Sequence, residues 1–411
     1  MSGVGRGVGP AAAPPVGLYV HVPFCVSRCP YCDFVVYAGS AARGPRSRIA
    51  AFMDALVVEL ELRADALDGA HGETRPPLET VYLGGGTPSL VPADEIDRLL
   101  ARVRDRFGLA DGAEISLEAN PGPDERGDPA RWARLGVTRL SFGAQSMDAG
   151  ELRRLGRRHQ PGDVREAVLE ARGAGIGSVN LDLLYDIPTS TLGSWQCTID
   201  AALAVAPDHL SLYALTLDDP VAEGLTGPAG DHLPTTSGAR RWRDRAVSAQ
   251  DDERAAAQYQ HAVAILAEAG LRGYEISNWA RPGHEGRHNL GYWQRRPFEA
   301  IGPGAHAFDG LTRRWNAARL DAYLAALNAP RPTLPPGGTE LLNDAMARVE
   351  AVILGLRLDT GVALETADGP PLTDVVAWAL DAGLFEATSN DRLVLTTRGR
   401  LLSNEVFSRL V

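Results

Sequence analysis

Three of the four cysteines, Cys25, Cys29 and Cys32, fall within eight residues in the order Cys-x3-Cys-x2-Cys, while Cys197 stands alone. Three thiolates from one loop can hold three irons of a cubane cluster. The fourth iron then lacks a protein ligand and is open to a small molecule, whereas an electron-carrying cluster takes four cysteines. A structural zinc site would also want four ligands. His21 is the nearest candidate for a fourth, but it lies in a strand pattern and is expected to pack against the cluster region. Cys197 falls in a helical pattern beside Trp195 and Ile199 and is expected in the core, as buried free cysteines commonly are.

Further chemistry-bearing residues recur at the ends of β-rich runs. Gly84-Gly85-Gly86-Thr87 would let the backbone approach a ligand with no Cβ in the way. Glu118 ends the third run, Gln145 the fourth, Arg157 follows on the next helix, and Asp182 lies on the fifth. Singly, each reads as a cap or surface group. Jointly they would face one mouth, where an Arg suits a ligand carboxylate and an Asp suits ribose hydroxyls. Farther on, His288-Asn289-Leu290-Gly291-Tyr292-Trp293 gathers an imidazole, an amide and two aromatic rings. Gly302-Pro303-Gly304-Ala305-His306 is a turn that either closes over a ligand or only bends the chain.

Alternating strands and helices must position these groups. Strands are expected at 17–22, 80–83, 113–118, 139–142, 178–184 and 209–215. Helices are expected at 49–67, 94–107, 128–135, 161–174 and 192–205. Six β-then-α repeats predict parallel strands with crossover helices. Six rather than eight predicts an open, partial barrel with its chemistry where the strands end. The stretch 218–256 reads as a loop or boundary insert, followed by a helix near 255–269. From about residue 339, two helical runs, a hairpin at 384–397 and a last helix at 398–410 suggest a winged-helix-like module.

Composition excludes several alternatives. None of the 411 residues is lysine, and 41 arginines face 52 acidic residues, for a net charge of -11. A Walker-type phosphate loop and Schiff-base chemistry both need a lysine. The acidic balance argues against nucleic acid. No apolar run reaches the ~20 residues of a membrane span. The Gly/Ala/Pro-rich start has no signal-peptide pattern, so a cytoplasmic protein is expected.

The Cys-x3-Cys-x2-Cys loop after a first strand resembles the shared motif of the radical S-adenosylmethionine (SAM) family. The order of the other motifs resembles the branch around oxygen-independent coproporphyrinogen III oxidase, over nearly the whole chain. The resemblance implies an α/β fold, a partial (β/α)6 barrel with a C-terminal α+β domain. The expected division is a disordered tail at 1–16, the barrel at 17–220, an extension at 221–335 and a winged-helix-like domain at 336–411. It implies a [4Fe-4S] cluster on Cys25, Cys29 and Cys32. It also implies SAM contacts from Tyr19, Tyr31, Gly85, Gly86, Thr87, Glu118, Gln145, Arg157 and Asp182.

Within the branch, the oxidases resemble one another in a fourth cysteine two residues after the third. Here that position is Phe34, as in the heme chaperone group, which also shares the His-Asn-x-x-Tyr-Trp hexad. The resemblance therefore implies heme as cargo, bound through His288, Asn289, Tyr292 and Trp293. It implies delivery to an acceptor protein, a respiratory one, and dimer formation favoured by SAM and the cluster. The alternative is an oxidase that decarboxylates coproporphyrinogen III to protoporphyrinogen IX, against which the missing cysteine weighs. A non-catalytic scaffold with a structural cluster is the third reading. Departures from the branch pattern at 185–190 and 217–220, and the unfamiliar insert 224–251, put the substrate side in question more than the cluster side.

Overall fold

Strand β1 (Gly17–Val22) buries Leu18, Val20 and Val22 fully on one face and His21 on the other, so it is covered on both faces. It starts a parallel run through β2 (Leu78–Gly85), β3 (Leu109–Ala119), β4 (Arg139–Gln145), β5 (Ser178–Tyr185) and β6 (His209–Ala214). The computed structural model describes residues 12–72, 75–217 and 219–411. Most of the expected tail, residues 1–11, and Asp218 of the 217–220 motif lie outside them. The chain is held before Gly17: the Ala13 amide donates to Asp309 O at 2.8 Å and the Val16 amide to Pro297 O at 3.0 Å.

Crossover helices α1 (Ile49–His71), α2 (Ala93–Arg106), α3 (Pro129–Leu135), α4 (Ala149–Arg154), α5 (Pro161–Gly173) and α6 (Leu192–Ala204) cover the strands. On α2 the buried stripe is Ile96, Leu99, Leu100 and Val103, a helical repeat facing the sheet. Each such side chain contributes roughly 1.5–3 kcal/mol on full burial. The helix ends follow local chemistry. The Asp128 side chain caps α3 by accepting from the Arg131 amide, Pro129 takes the first position, and Gly136 ends the helix at φ 95°.

The sheet is wider than six strands. β7 (Arg272–Gly273) and β8 (Asn278–Ala280) extend it past β6, while β9 (Phe298–Ile301), β10 (His306–Phe308), β11 (Thr312–Asn316) and β12 (Gly337–Leu341) extend it past β1. The order of the twelve is β12-β11-β10-β9-β1-β2-β3-β4-β5-β6-β8-β7. β9 is parallel to β1, and the strands outside it are antiparallel. The insert read as a loop contains helix α7 (Ser237–Val247), and α8 (Asp252–Glu268) follows it. α9 (Arg287–Trp293) carries the hexad.

α10 (Leu320–Leu327) packs in the main core, and because β12 pairs with β11 the separate C-terminal core begins only after β12, at α11 (Asp344–Arg357), rather than at residue 336. α12 (Leu372–Asp381) packs beside it. The expected hairpin gains a third strand: β13 (Val362–Ala363), β14 (Phe385–Ala387) and β15 (Arg392–Leu395) form an antiparallel sheet. The single last helix divides at Leu402 into Thr397–Leu401 and Ser403–Phe407. No helix of the described residues is long and apolar enough to cross a membrane.

Candidate functional site

The three-cysteine loop leaves the carboxyl end of β1 and is tied down on every side. Phe24–Cys25 pairs in parallel with Tyr37–Ala38. The Thr87 hydroxyl donates to Cys25 Sγ at 3.4 Å, and the Arg157 guanidinium donates to Cys29 Sγ at 3.6 Å. Asn120 joins these two: its amide donates to Thr87 Oγ1 at 3.0 Å and its carbonyl accepts from Arg157. Buried Arg243 of α7 donates to the carbonyls of Pro30 at 3.1 Å, Tyr31 at 3.0 Å and Cys32 at 3.2 Å. The insert thus supplies a clamp on the loop backbone, and its Trp242 packs beside the Tyr31 ring.

Burial pushes the Cys25 thiol up to about 11 and Cys32 to about 12, and the neighbouring cysteines push in the same direction. Metal binding at this loop must therefore displace protons. Among the described residues, no three His, Cys, Asp or Glu side chains converge tightly enough for a single metal ion.

The strand-end residues form one continuous polar row. Glu118 accepts from the Tyr82 hydroxyl at 2.7 Å and the Gly85 amide at 2.9 Å. Gly85 has φ 109°, and a Cβ there would lie 2.4 Å from the His21 ring; one at Gly86 would lie 2.7 Å from Phe24 O. Both positions require glycine. Arg157 also donates to Gly143 O at 2.7 Å, and its buried Nε makes no hydrogen bond among the described residues. Asp182 accepts from Ser141 at 2.9 Å and Asn180 at 2.8 Å. Gln145 ends β4 at φ 65°. Glycine cradle, carboxylates and an unsatisfied guanidinium nitrogen fit a zwitterionic ligand beside the cluster loop.

Glu118 keeps partial exposure, yet protein surrounds it deeply. This desolvation pushes its carboxyl from the ordinary 4.5 up to about 7, with the Asp182 charge adding to the rise and the bonds from Tyr82 and Gly85 opposing it. Between those values the folded chain holds a proton that the unfolded chain has released. This stabilising contribution is full below about 4.5 and is lost as pH rises through about 7. Glu118→Gln is expected to flatten that part of the pH profile. Urea midpoints of the apoprotein at pH 5 and pH 8 check this, and a slope identical to wild type would refute it.

His21 is buried and neutral. Its Nε2 donates to Val35 O at 2.8 Å, its Nδ1 accepts from the Tyr19 hydroxyl at 3.0 Å, and burial pushes it down to about 4. Cys197 corrects an expectation: it is exposed. The buried stripe of α6 is Trp195, Thr198, Ile199 and Ala202, and a residue two places after Trp195 lies on the opposite side of the helix.

The hexad divides between two environments. Tyr292 and Trp293 line a cavity of about 460 Å3, together with Tyr19, Phe34, Phe298 and Phe308. His288 turns inward. Its Nε2 pairs with the Tyr292 hydroxyl at 2.8 Å and its Nδ1 with Thr80 Oγ1 at 2.7 Å, and burial pushes it down to about 3. The cleft beside it holds about 10 Å3, no more than one water requires. His288 is thus a support beneath Tyr292, one turn away on the same helix face. Asn289 bonds to the Tyr274 hydroxyl, which also accepts from the Gly286 amide at 3.2 Å.

Sequence reasoning missed Tyr82 and Arg243 as site residues. Tyr82 had a usable signal, since it stands two positions before the glycine run on the same strand. Arg243 had none.

A barrel whose strand ends surround a three-cysteine loop defines a radical SAM protein, and the radical SAM superfamily model matches residues 19–200. The heme chaperone HemW of Mycobacterium tuberculosis is 40% identical over 408 residues, 98% of this chain and 97% of that protein. HemW of Escherichia coli is 36% identical across 71% of this chain and 70% of its own. The bovine mitochondrial radical S-adenosyl methionine domain-containing protein 1 is 35% identical across 84% and 74%. The chain belongs to the HemW heme chaperone family. Among solved structures, the coproporphyrinogen III oxidase HemN of Escherichia coli matches with a TM-score of 0.77, covering 97% of this chain and 90% of that one. At 22% identity this is a likeness of fold.

Proposed function

We propose that this protein is a heme chaperone that seats heme in the 460 Å3 cavity and passes it to an acceptor protein. The carrying observation is that cavity: its size is that of a cofactor site, Tyr19, Phe34, Tyr292, Trp293, Phe298 and Phe308 give it aromatic walls beside polar and charged ones, and it opens beside the cluster loop. Tyr292 and Trp293 offer flat faces to a porphyrin, while His288 and Asn289 hold the helix that presents them. Phe34, 57% exposed, sits on the wall where the oxidases have a fourth cysteine. Membership of the HemW family supports the same reading.

Cys25, Cys29 and Cys32 hold the [4Fe-4S] cluster. Tyr19, Tyr31, Gly85, Gly86, Thr87, Glu118, Gln145, Arg157 and Asp182 would hold SAM, Arg157 being suited to a carboxylate and Glu118 to an amine. When bound, the cluster and SAM would supply one-electron chemistry; in this chaperone their role would be accessory, favouring dimer formation or heme transfer. The acceptor is a respiratory heme protein, and the setting is the cytoplasm.

The test uses anaerobically reconstituted protein. Hemin titration is expected to give a saturable Soret band. Coproporphyrinogen III with SAM and a reductant is expected to give no vinyl product. Vinyl formation would establish the oxidase instead.

A further inference from the structure

Three side chains on one wall of the cavity form a unit that the polar row at the strand ends does not use. Asp231, from the insert, accepts on Oδ1 from His232 Nδ1 at 3.0 Å and on Oδ2 from His306 Nε2 at 2.8 Å. All three line the cavity. His232 Nε2 and His306 Nδ1 make no hydrogen bond among the described residues. The loop carrying Asp231 and His232 is pinned to the end of the sheet. Trp315 Nε1 donates to Ala229 O at 3.1 Å, the Ala318 amide to Gly230 O at 2.8 Å and the His232 amide to Leu225 O at 3.3 Å.

An imidazole that ligates a metal through one nitrogen characteristically gives its other N–H to a carboxylate, which fixes the tautomer and aims the free lone pair. Both histidines meet that requirement, but they are not equivalent. The free nitrogen of His306 is Nδ1, crowded by its own Cβ and backbone, and its ring lies stacked on Trp315 at 6.0 Å and 21°. The free nitrogen of His232 is Nε2, at the outer tip of the ring, where a broad planar ligand can approach. The two rings share one carboxylate, so they cannot stand on opposite faces of a porphyrin. The hexad histidine is unsuited, since both of its ring nitrogens are engaged and its cleft holds about 10 Å3, too little for a porphyrin.

Resting on the reading that heme is the cargo, we infer that His232 Nε2 is the axial ligand to the heme iron, that Asp231 orients it, and that His306 completes the carboxylate's hydrogen bonding. The ligand then comes from the insert, the segment departing most from the oxidase pattern.

Cluster-loaded protein is titrated with hemin, reading the Soret position, the EPR spin state and Kd. His232→Ala is expected to lose the histidine-ligated spectrum, and added imidazole is expected to restore it. Asp231→Asn keeps the shape and is expected to weaken binding about 10–100-fold. His288→Ala and His306→Ala are expected to keep a histidine-ligated spectrum. Far-ultraviolet CD and cluster absorbance show that each variant is folded. A wild-type spectrum in His232→Ala, or loss of ligation in His288→Ala alone, would overturn the assignment while leaving heme as cargo. Wild-type protein that binds no hemin would overturn both readings.

Discussion

Replacing Cys25, Cys29 or Cys32 singly by alanine is expected to remove most protein-bound iron after anaerobic reconstitution, together with the broad visible absorption. On the proposed ligation each thiolate would serve a separate iron, so losing one would expose a second corner of the cubane to solvent and exchange. Cys197→Ala is the internal control: the residue is exposed on α6, away from the loop, and iron content should not change. Arg243→Ala separates ligation from positioning. It keeps all three sulfurs but frees the carbonyls of Pro30, Tyr31 and Cys32 from their shared donor. The cluster is expected to assemble and then to be lost faster in air than in wild type. Iron and sulfide assays with the decay of visible absorption read both effects. Full iron content in the Cys29→Ala protein would remove the cluster from this loop.

The cluster loop and the strand-end row were legible because each depends on local spacing. β1 lies at Gly17–Val22 as expected, and the buried parallel strands after it read as apolar runs closed by glycine or a polar residue. The flanking strands β7 to β12 span only two to five residues, too few for a repeat to emerge. The insert is mostly polar, and its value lies in what Arg243, Asp231 and His232 meet across the fold. Such long-range partners leave no mark on neighbouring sequence. The hexad shows a different limit. Its residue types imply a ligand site, yet its helix sends His288 inward and leaves Tyr292 and Trp293 facing the cavity. Cys197 was misplaced by reading adjacency along the chain as adjacency on the helix face.

Glu59→Ala is expected to be the most destabilising single change on the barrel side, although Glu59 appears in no motif. In α1 it stands among Glu61, Arg63 and Asp65, which reads as a solvated charged stretch. The helical repeat says otherwise: Phe52, Leu56, Glu59 and Arg63 fall on one stripe, and all four are buried. Glu59 is fully buried and accepts from Tyr323 at 2.7 Å, Asn316 at 2.7 Å and the Gly302 amide at 2.9 Å, and it pairs with Arg63 at 3.3 Å. Arg63 reaches Asn316 Oδ1 at 2.9 Å, which closes the network. Removing the carboxylate leaves a buried guanidinium without its counter-charge, a loss of about 3–5 kcal/mol. That is a large part of the roughly 5–15 kcal/mol that holds a typical domain folded. Glu59→Gln keeps shape and an acceptor, so it should cost less while still losing the ion pair. The network also anchors the Gly302 turn that leads into β10 and His306, so a folded Glu59→Gln protein is expected to bind hemin more weakly than wild type. Urea midpoints of the apoprotein rank the two variants. A midpoint for Glu59→Ala equal to wild type would mean that the sheet edge carrying the cavity is held by packing alone and owes nothing to this buried pair.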